Sequence, residues 1–341
     1  MDRRVSQILV VHPGSLGDTI LALPVLAALK EHHRSAWLHL IGHPSLLDVL
    51  PGRSVVDSMG SIEGSDYRDL LAGHERMSAS VVRFYQQFAL VVIWAADHDG
   101  SVQAALDSLG IHQRIVRSPG LQRSSDQHAT ERFRETLRDL FPLESLPETG
   151  LSPTETDRQT GARWLLDHGI DPETDRVVAA HAGSGSLSKC WPSVHVAAVI
   201  HGLLQNGIKV VLIEGPADKE ATSAVSGQVP SALPRLQAPS LSLVLAVLAR
   251  CGGFLGNDSG VTQMATALGL PTVAVFGPTD PGIWGYRGKR LVPLRSEFGC
   301  RCATREAQQM CSERKCLSTP PEIVLNALRQ SVRSLSPSLA T

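Results

Sequence analysis

Val177-Val178-Ala179-Ala180-His181-Ala182-Gly183-Ser184-Gly185-Ser186-Leu187-Ser188-Lys189-Cys190-Trp191-Pro192 passes from an apolar run, through a loop of small hydroxylated residues, to a proline suited to a helix's first turn. A strand that feeds a helix through a glycine-bearing loop is half of a βαβ unit, and repeated units build a parallel sheet with helices on its faces. The loop offers amide N–H groups, hydroxyls and one ammonium. That set suits phosphate oxygens, since the backbone donates to them and Lys189 offsets their charge. An ordinary βα loop with a solvated lysine fits this segment taken alone equally well.

The alternation extends in both directions. Downstream, the spacing predicts helices over 194–206, 241–250 and 261–268, with strands over 210–213, 253–255 and 272–276. Upstream, it predicts strands over 8–11, 37–41 and 90–94, with helices over 21–29, 81–88 and 158–168. Between the two series, residues 143–156 are rich in Pro, Ser, Thr and Glu, with Pro142, Pro147 and Pro153 closely spaced, which marks a boundary. The reading is therefore α/β throughout, with Rossmann-like domains over 1–155 and 156–320 and a closing helix and tail over 321–341 that frays beyond Arg333. Paired domains of this kind bind ligand in a crevice at the carboxyl ends of their strands.

Composition agrees with two domains, because 341 residues is about twice the ~150 usual for one. A chain that is 43% hydrophobic and 19% charged is neither disordered, collagen-like nor a disulfide framework. Thirty-two Lys and Arg against 33 Asp and Glu leave a formal charge of −1, so no global field draws the chain to nucleic acid or an anionic bilayer. Any anionic ligand must be held locally. Apolar stretches such as 88–96 fall short of the ~20 residues of a membrane span. The start Met1-Asp2-Arg3-Arg4-Val5 leads into too short an apolar run for a secretion signal, which points to the cytoplasm.

Three more loops sit at expected strand ends. His12-Pro13-Gly14-Ser15-Leu16-Gly17-Asp18 has two glycines for a tight turn and a carboxylate at the start of a helix, where it also suits a cap. Its G-x-x-G-D spacing is not the dinucleotide pattern. Gly256-Asn257-Asp258-Ser259-Gly260-Val261 places N–H groups at the positive end of a helix, a ready anion site, although Asn-Asp-Ser-Gly is also common turn chemistry. Phe276-Gly277-Pro278-Thr279-Asp280-Pro281 is a rigid turn.

Taken together with Lys189-x-Trp191-Pro192 and Gly215-Pro216-Ala217-Asp218, these motifs resemble glycosyltransferase family 9, the heptosyltransferases of the lipopolysaccharide inner core. The resemblance runs over most of the chain and is more specific in its C-terminal half. It implies the GT-B architecture, two Rossmann-like domains with parallel sheets facing across a cleft, with a C-terminal helix that often packs back on the first. It implies an inverting, metal-independent transfer of a heptose or related sugar from an ADP-activated donor to a glycan or glycolipid hydroxyl. No cofactor is expected, and the enzyme would work in the cytoplasm or at the inner membrane surface.

Carried over residue by residue, the resemblance makes Asp18 the general base and Lys189 the partner of the departing diphosphate. Gly183, Ser184, Ser259, Gly260 and Val261 would support the phosphates, Asp258 would hold sugar hydroxyls, and Asp218 or Glu220 would meet the ribose. His12, Gly14, Ser15 and Gly17 would lie on the acceptor side.

Three features depart from the family pattern. Gln263 stands where a His is common, and it can donate a hydrogen bond but carries no charge. Asp97-His98-Asp99 follows the third strand where a cation is frequent, which argues against a phosphorylated acceptor; its D-x-D shape is a weak metal signal. His12 also replaces a frequent cation. The cluster Cys300, Cys302, Cys311 and Cys316 fits structural thiols, a metal or a disulfide, with Arg301, Arg305, Arg314 and Lys315 around it. Two alternatives stand beside the transferase: a relative that binds nucleotide sugar or glycan without turnover, and a GT-B sugar-nucleotide epimerase.

Overall fold

In the first of two sheets, strands β1 (Gln7–Val11), β2 (Trp37–Gly42), β3 (Ser58–Ser61), β4 (Leu90–Ile93) and β5 (Arg114–Val116) lie in the order β3-β2-β1-β4-β5. In the second, β6 (Val177–His181), β7 (Lys209–Glu214), β8 (Arg235–Gln237), β9 (Gly253–Asn257), β10 (Thr272–Phe276) and β11 (Leu291–Arg295) lie in the order β11-β10-β9-β6-β7-β8. All neighbours are parallel. The computed structural model describes residues 6–121, 126–140, 143, 145–229, 232–302 and 304–333; the expected tail beyond Arg333 and the start of the chain lie outside them. The chain divides into one unit ending at Ser152 and another beginning at Pro153, within the proline-rich stretch.

Both orders are doubly wound, and each has a switch point where successive connections leave in opposite directions. In the first unit it lies between β1 and β4, and in the second between β6 and β9. The loops after β1, β4, β6 and β9 therefore converge in pairs at the carboxyl ends of these strands. These loops carry four of the motifs read from the sequence.

Central strands are buried on both faces: β1 from Ile8 to Val11, all of β4, and all of β6, β9 and β10. The helix Leu16–His32 follows β1 and buries ten residues from Thr19 to Leu29. The helix Ala129–Leu137 packs on it, where the Thr130 hydroxyl donates to the Leu21 carbonyl at 2.8 Å.

The closing helix Pro321–Arg333 is part of the second unit's core. Val324, Leu328 and Val332, spaced on one face, are buried with Val199, Ile200 and Leu203. The helix lies against the helix Ser193–Leu204 and against β9 and β10. Gly202 permits that approach, since a Cβ there would fall 2.4 Å from Leu325. The packing of 321–333 within the second unit is thus set by an apolar stripe that fits that unit's sheet.

Candidate functional site

In the second unit, His181 ends β6 and is buried among polar partners. Its Nε2 lies 2.8 Å from Asp218 Oδ2 and its Nδ1 lies 3.3 Å from the Ser259 hydroxyl. An ionised carboxylate only accepts, so Nε2 donates to Asp218, and Nδ1 faces Ser259. Asp218 also accepts from the Gly215 amide at 3.1 Å. Burial pushes the Asp218 pKa up, but hydrogen bonding and charge from His181, with backbone donors at Gly215 and Ser184, outweigh it and hold the carboxyl below its usual value. Gly183 passes so close that a Cβ would lie 1.9 Å from Asp218 Oδ1, so a side chain at 183 would expel this carboxylate.

Asn257 fixes the loop after β6. Its amide donates to the carbonyls of Ala182 and Gly183 at 2.9 and 3.1 Å, and its oxygen accepts from the Trp191 amide at 3.0 Å. Held this way, the loop delivers Lys189 Nζ to Asp258 Oδ2 at 2.7 Å. The same carboxylate oxygen accepts from Thr279 at 2.8 Å, and the Ser184 hydroxyl donates to the Asp258 carbonyl at 2.7 Å. Ser259 caps the helix Gly260–Ala267, whose first-turn N–H groups have no acceptor within the helix. Three loops thus place an ammonium, hydroxyls and a helix N-terminus around Asp258, which suits a phosphate group beside a polyol.

In the first unit, Asp18 lies in the first turn of its helix and closes a capping box with Ser15. Its Oδ2 accepts from the Ser15 amide at 3.1 Å and from the Ser15 hydroxyl at 2.9 Å. The Gly14 backbone covers His12, because a Cβ at 14 would lie 2.4 Å from the imidazole. His12 is 3% exposed, both ring nitrogens are sealed from solvent without a partner, and its ring meets Trp94 and Phe133 edge-on at 5.7 and 5.1 Å. Burial pulls its pKa from 6.5 to about 4, against an opposing pull from Asp18. The residue in the place of the family's cation is therefore neutral at pH 7.

Several sequence-predicted site residues make structural hydrogen bonds. Asp97 accepts from the amides of Val102 and Gln103, and Asp99 from that of Ser101, so both cap the helix Ser101–Ser108. Hydrogen bonding from Ser101 holds Asp99 below its usual pKa. Gln263 donates to the Trp284 carbonyl at 2.6 Å and accepts from the Tyr286 amide at 2.9 Å, so its amide braces the loop after β10. Asp218 is engaged by His181, whereas Glu220 is exposed. Sequence reading also missed two residues: His181, whose partners lie 37 and 78 positions away, and Glu214, a buried acid ending β7 with Oε2 unpartnered. The acidic end of a β-branched run was the available signal for Glu214.

The four clustered cysteines are free. Cys302 neighbours Cys311 and Cys300, and Cys316 neighbours Cys300; burial and these contacts push Cys302 and Cys316 up to about 11. The Arg314 backbone N–H draws Cys311 down. Among the described residues, no group of three or more His, Cys, Asp and Glu is placed to hold a metal ion.

Two doubly wound parallel α/β units place the chain in the GT-B fold class. The model of glycosyltransferase family 9 (heptosyltransferase) matches residues 111–318, and the chain belongs to that family of glycosyltransferases. It is 27% identical to lipopolysaccharide heptosyltransferase 1 of Pseudomonas aeruginosa, over 93% of this chain and 89% of that one. Among solved structures, a family 9 glycosyltransferase from Veillonella parvula superposes with a TM-score of 0.77 at 21% identity, covering 98% of this chain and 99% of that chain. ADP-heptose lps heptosyltransferase II of E. coli gives 0.73 at 17% identity, covering 96% and 99%.

Proposed function

We propose that this glycosyltransferase moves a heptose from ADP-heptose to a hydroxyl of a lipopolysaccharide-core acceptor, with inversion and without a metal ion. The observation that carries this reading is the Lys189, Asp258, Thr279 and Ser184 cluster beside the helix that starts at Gly260. In the reaction the acceptor oxygen attacks the anomeric carbon as the bond to the diphosphate breaks, and its electron pair leaves on the diphosphate oxygen. The acceptor proton passes to Asp18. Lys189 and the first-turn amides of 259–261 stabilise the departing charge, the work a metal ion does in other transferases. Asp258 meets the sugar hydroxyls. Glu220, exposed in the first turn of the helix Lys219–Ser226, meets the ribose.

The acceptor side lacks a charged His12, and its acids at 97 and 99 are turned into helix caps, so an uncharged glycan hydroxyl suits it better than a phosphorylated one. No helix among the described residues is long and apolar enough to cross a membrane. The enzyme would work in the cytoplasm or at the inner leaflet, where nucleotide sugar is made. The test is nucleoside-diphosphate release from a panel of nucleotide sugars, with a lipopolysaccharide-core acceptor, with and without EDTA. ADP release from ADP-heptose, unchanged by EDTA, is expected. Release that returns only with added metal would overturn the metal-free mechanism, and binding without release would overturn turnover.

A further inference from the structure

The segment that carries the cysteines also reaches the donor loop. Its helix Arg305–Met310 packs against the single helical turn Leu187–Lys189. Between them is a cavity of about 340 Å³ lined by Gly185, Ser186, Leu187, Ser188, Gln309 and Arg314.

Arg314 has φ 43° and ψ 37°, left-handed backbone that an L side chain rarely adopts. Neighbouring structure holds it there. Its carbonyl accepts from the Leu317 amide at 2.8 Å, its N–H meets the Cys311 sulfur, and Cys316 is buried two residues on. A strained residue held by its surroundings is a reason to look for a functional role. Arg314 lines the cavity, its charge is felt at Cys190, the residue after Lys189, and it makes no ion pair among the described residues. The Ser186 and Ser188 hydroxyls are bonded to each other at 2.8 Å, so whichever accepts still has a proton to give.

Charge balance decides what this cavity suits. Lys189 is already paired with Asp258 at 2.7 Å, so together they are neutral. A departing diphosphate carries more than one negative charge, and Arg314 is an unspent cation beside the same loop. We propose that Arg314, Ser186 and Ser188 form an anion subsite for the donor's diphosphate and share with Lys189 the charge that grows as the sugar leaves. This rests on the donor reading above.

The test is calorimetric titration with ADP and with inorganic pyrophosphate, at two salt concentrations, of the full chain and of Arg314→Gly, Arg314→Lys and Lys189→Ala. Glycine accepts left-handed backbone, so Arg314→Gly should keep or raise the melting temperature while it removes the cation. Both probes should bind about tenfold or more weakly to Arg314→Gly, with a shallower salt dependence, and Arg314→Lys should recover part of the loss. Unchanged ADP and pyrophosphate binding in Arg314→Gly, with Lys189→Ala weakened, would overturn this subsite alone. No binding of either probe by the unaltered chain would overturn the donor reading as well.

Discussion

Asp18→Asn should lower kcat by roughly 10²–10⁴ while leaving the fold and donor affinity intact. The choice of asparagine matters, because Asp18 also has a structural role in accepting from the amide and hydroxyl of Ser15. Asparagine's carbonyl oxygen can accept both bonds, so the cap survives and only the base is lost. Alanine would remove both and add about 1 kcal/mol of destabilisation from the lost cap. If Asp18→Asn turned over at the unaltered rate and Asp18→Ala only melted earlier, the carboxylate would be a cap and nothing more. Steady-state kinetics on both variants, with melting curves, separates the two.

His12 should make the first unit sensitive to mild acid. Its folded pKa is about 4, against 6.5 for the free side chain, because burial disfavours the imidazolium. Between those values the unfolded chain binds a proton that the folded chain refuses, so stability falls as pH drops through that window. Below about pH 4 both states are protonated and the loss is complete, at about 3 kcal/mol. His12→Leu keeps an apolar group against Trp94 and Phe133 and has nothing to titrate. Urea denaturation from pH 7 to 4 should therefore show a steeper decline for the unaltered chain than for His12→Leu. Parallel declines would mean that His12 takes up its proton in the folded state.

The legible part of this fold is the part built from buried strands followed by Gly and Ser loops. Val177 to Ala180 and Ile8 to Val11 announce themselves by unbroken apolar runs, and the loops after them hold the predicted motifs. Strands β3, β5 and β8 were not legible: Ser58-Met59-Gly60-Ser61 has no β-branched residue, and the other two are three residues long. Edge strands like these gain their pairing from a neighbour already in place, which local pattern does not encode. At the site, residue types were legible and their partners were not. Asp218 reads as a free acid in its turn, yet His181, 37 positions earlier, claims it. Gln263 reads as a weakened donor contact until Trp284 and Tyr286 fold back onto its amide. Asp97 and Asp99 were more tractable, since Asp-x-Asp-Gly-Ser ahead of an apolar helical pattern is also a capping signal.

The reaction proposed for this chain is single-displacement heptosyl transfer with a carboxylate base and no metal. Proton NMR of the product formed from ADP-heptose and a lipopolysaccharide-core acceptor, in EDTA, is the decisive experiment. The predicted spectrum shows a new glycosidic linkage of anomeric configuration opposite to that of the donor. A linkage that retains the donor configuration, or no linkage until a metal ion is restored, would contradict it.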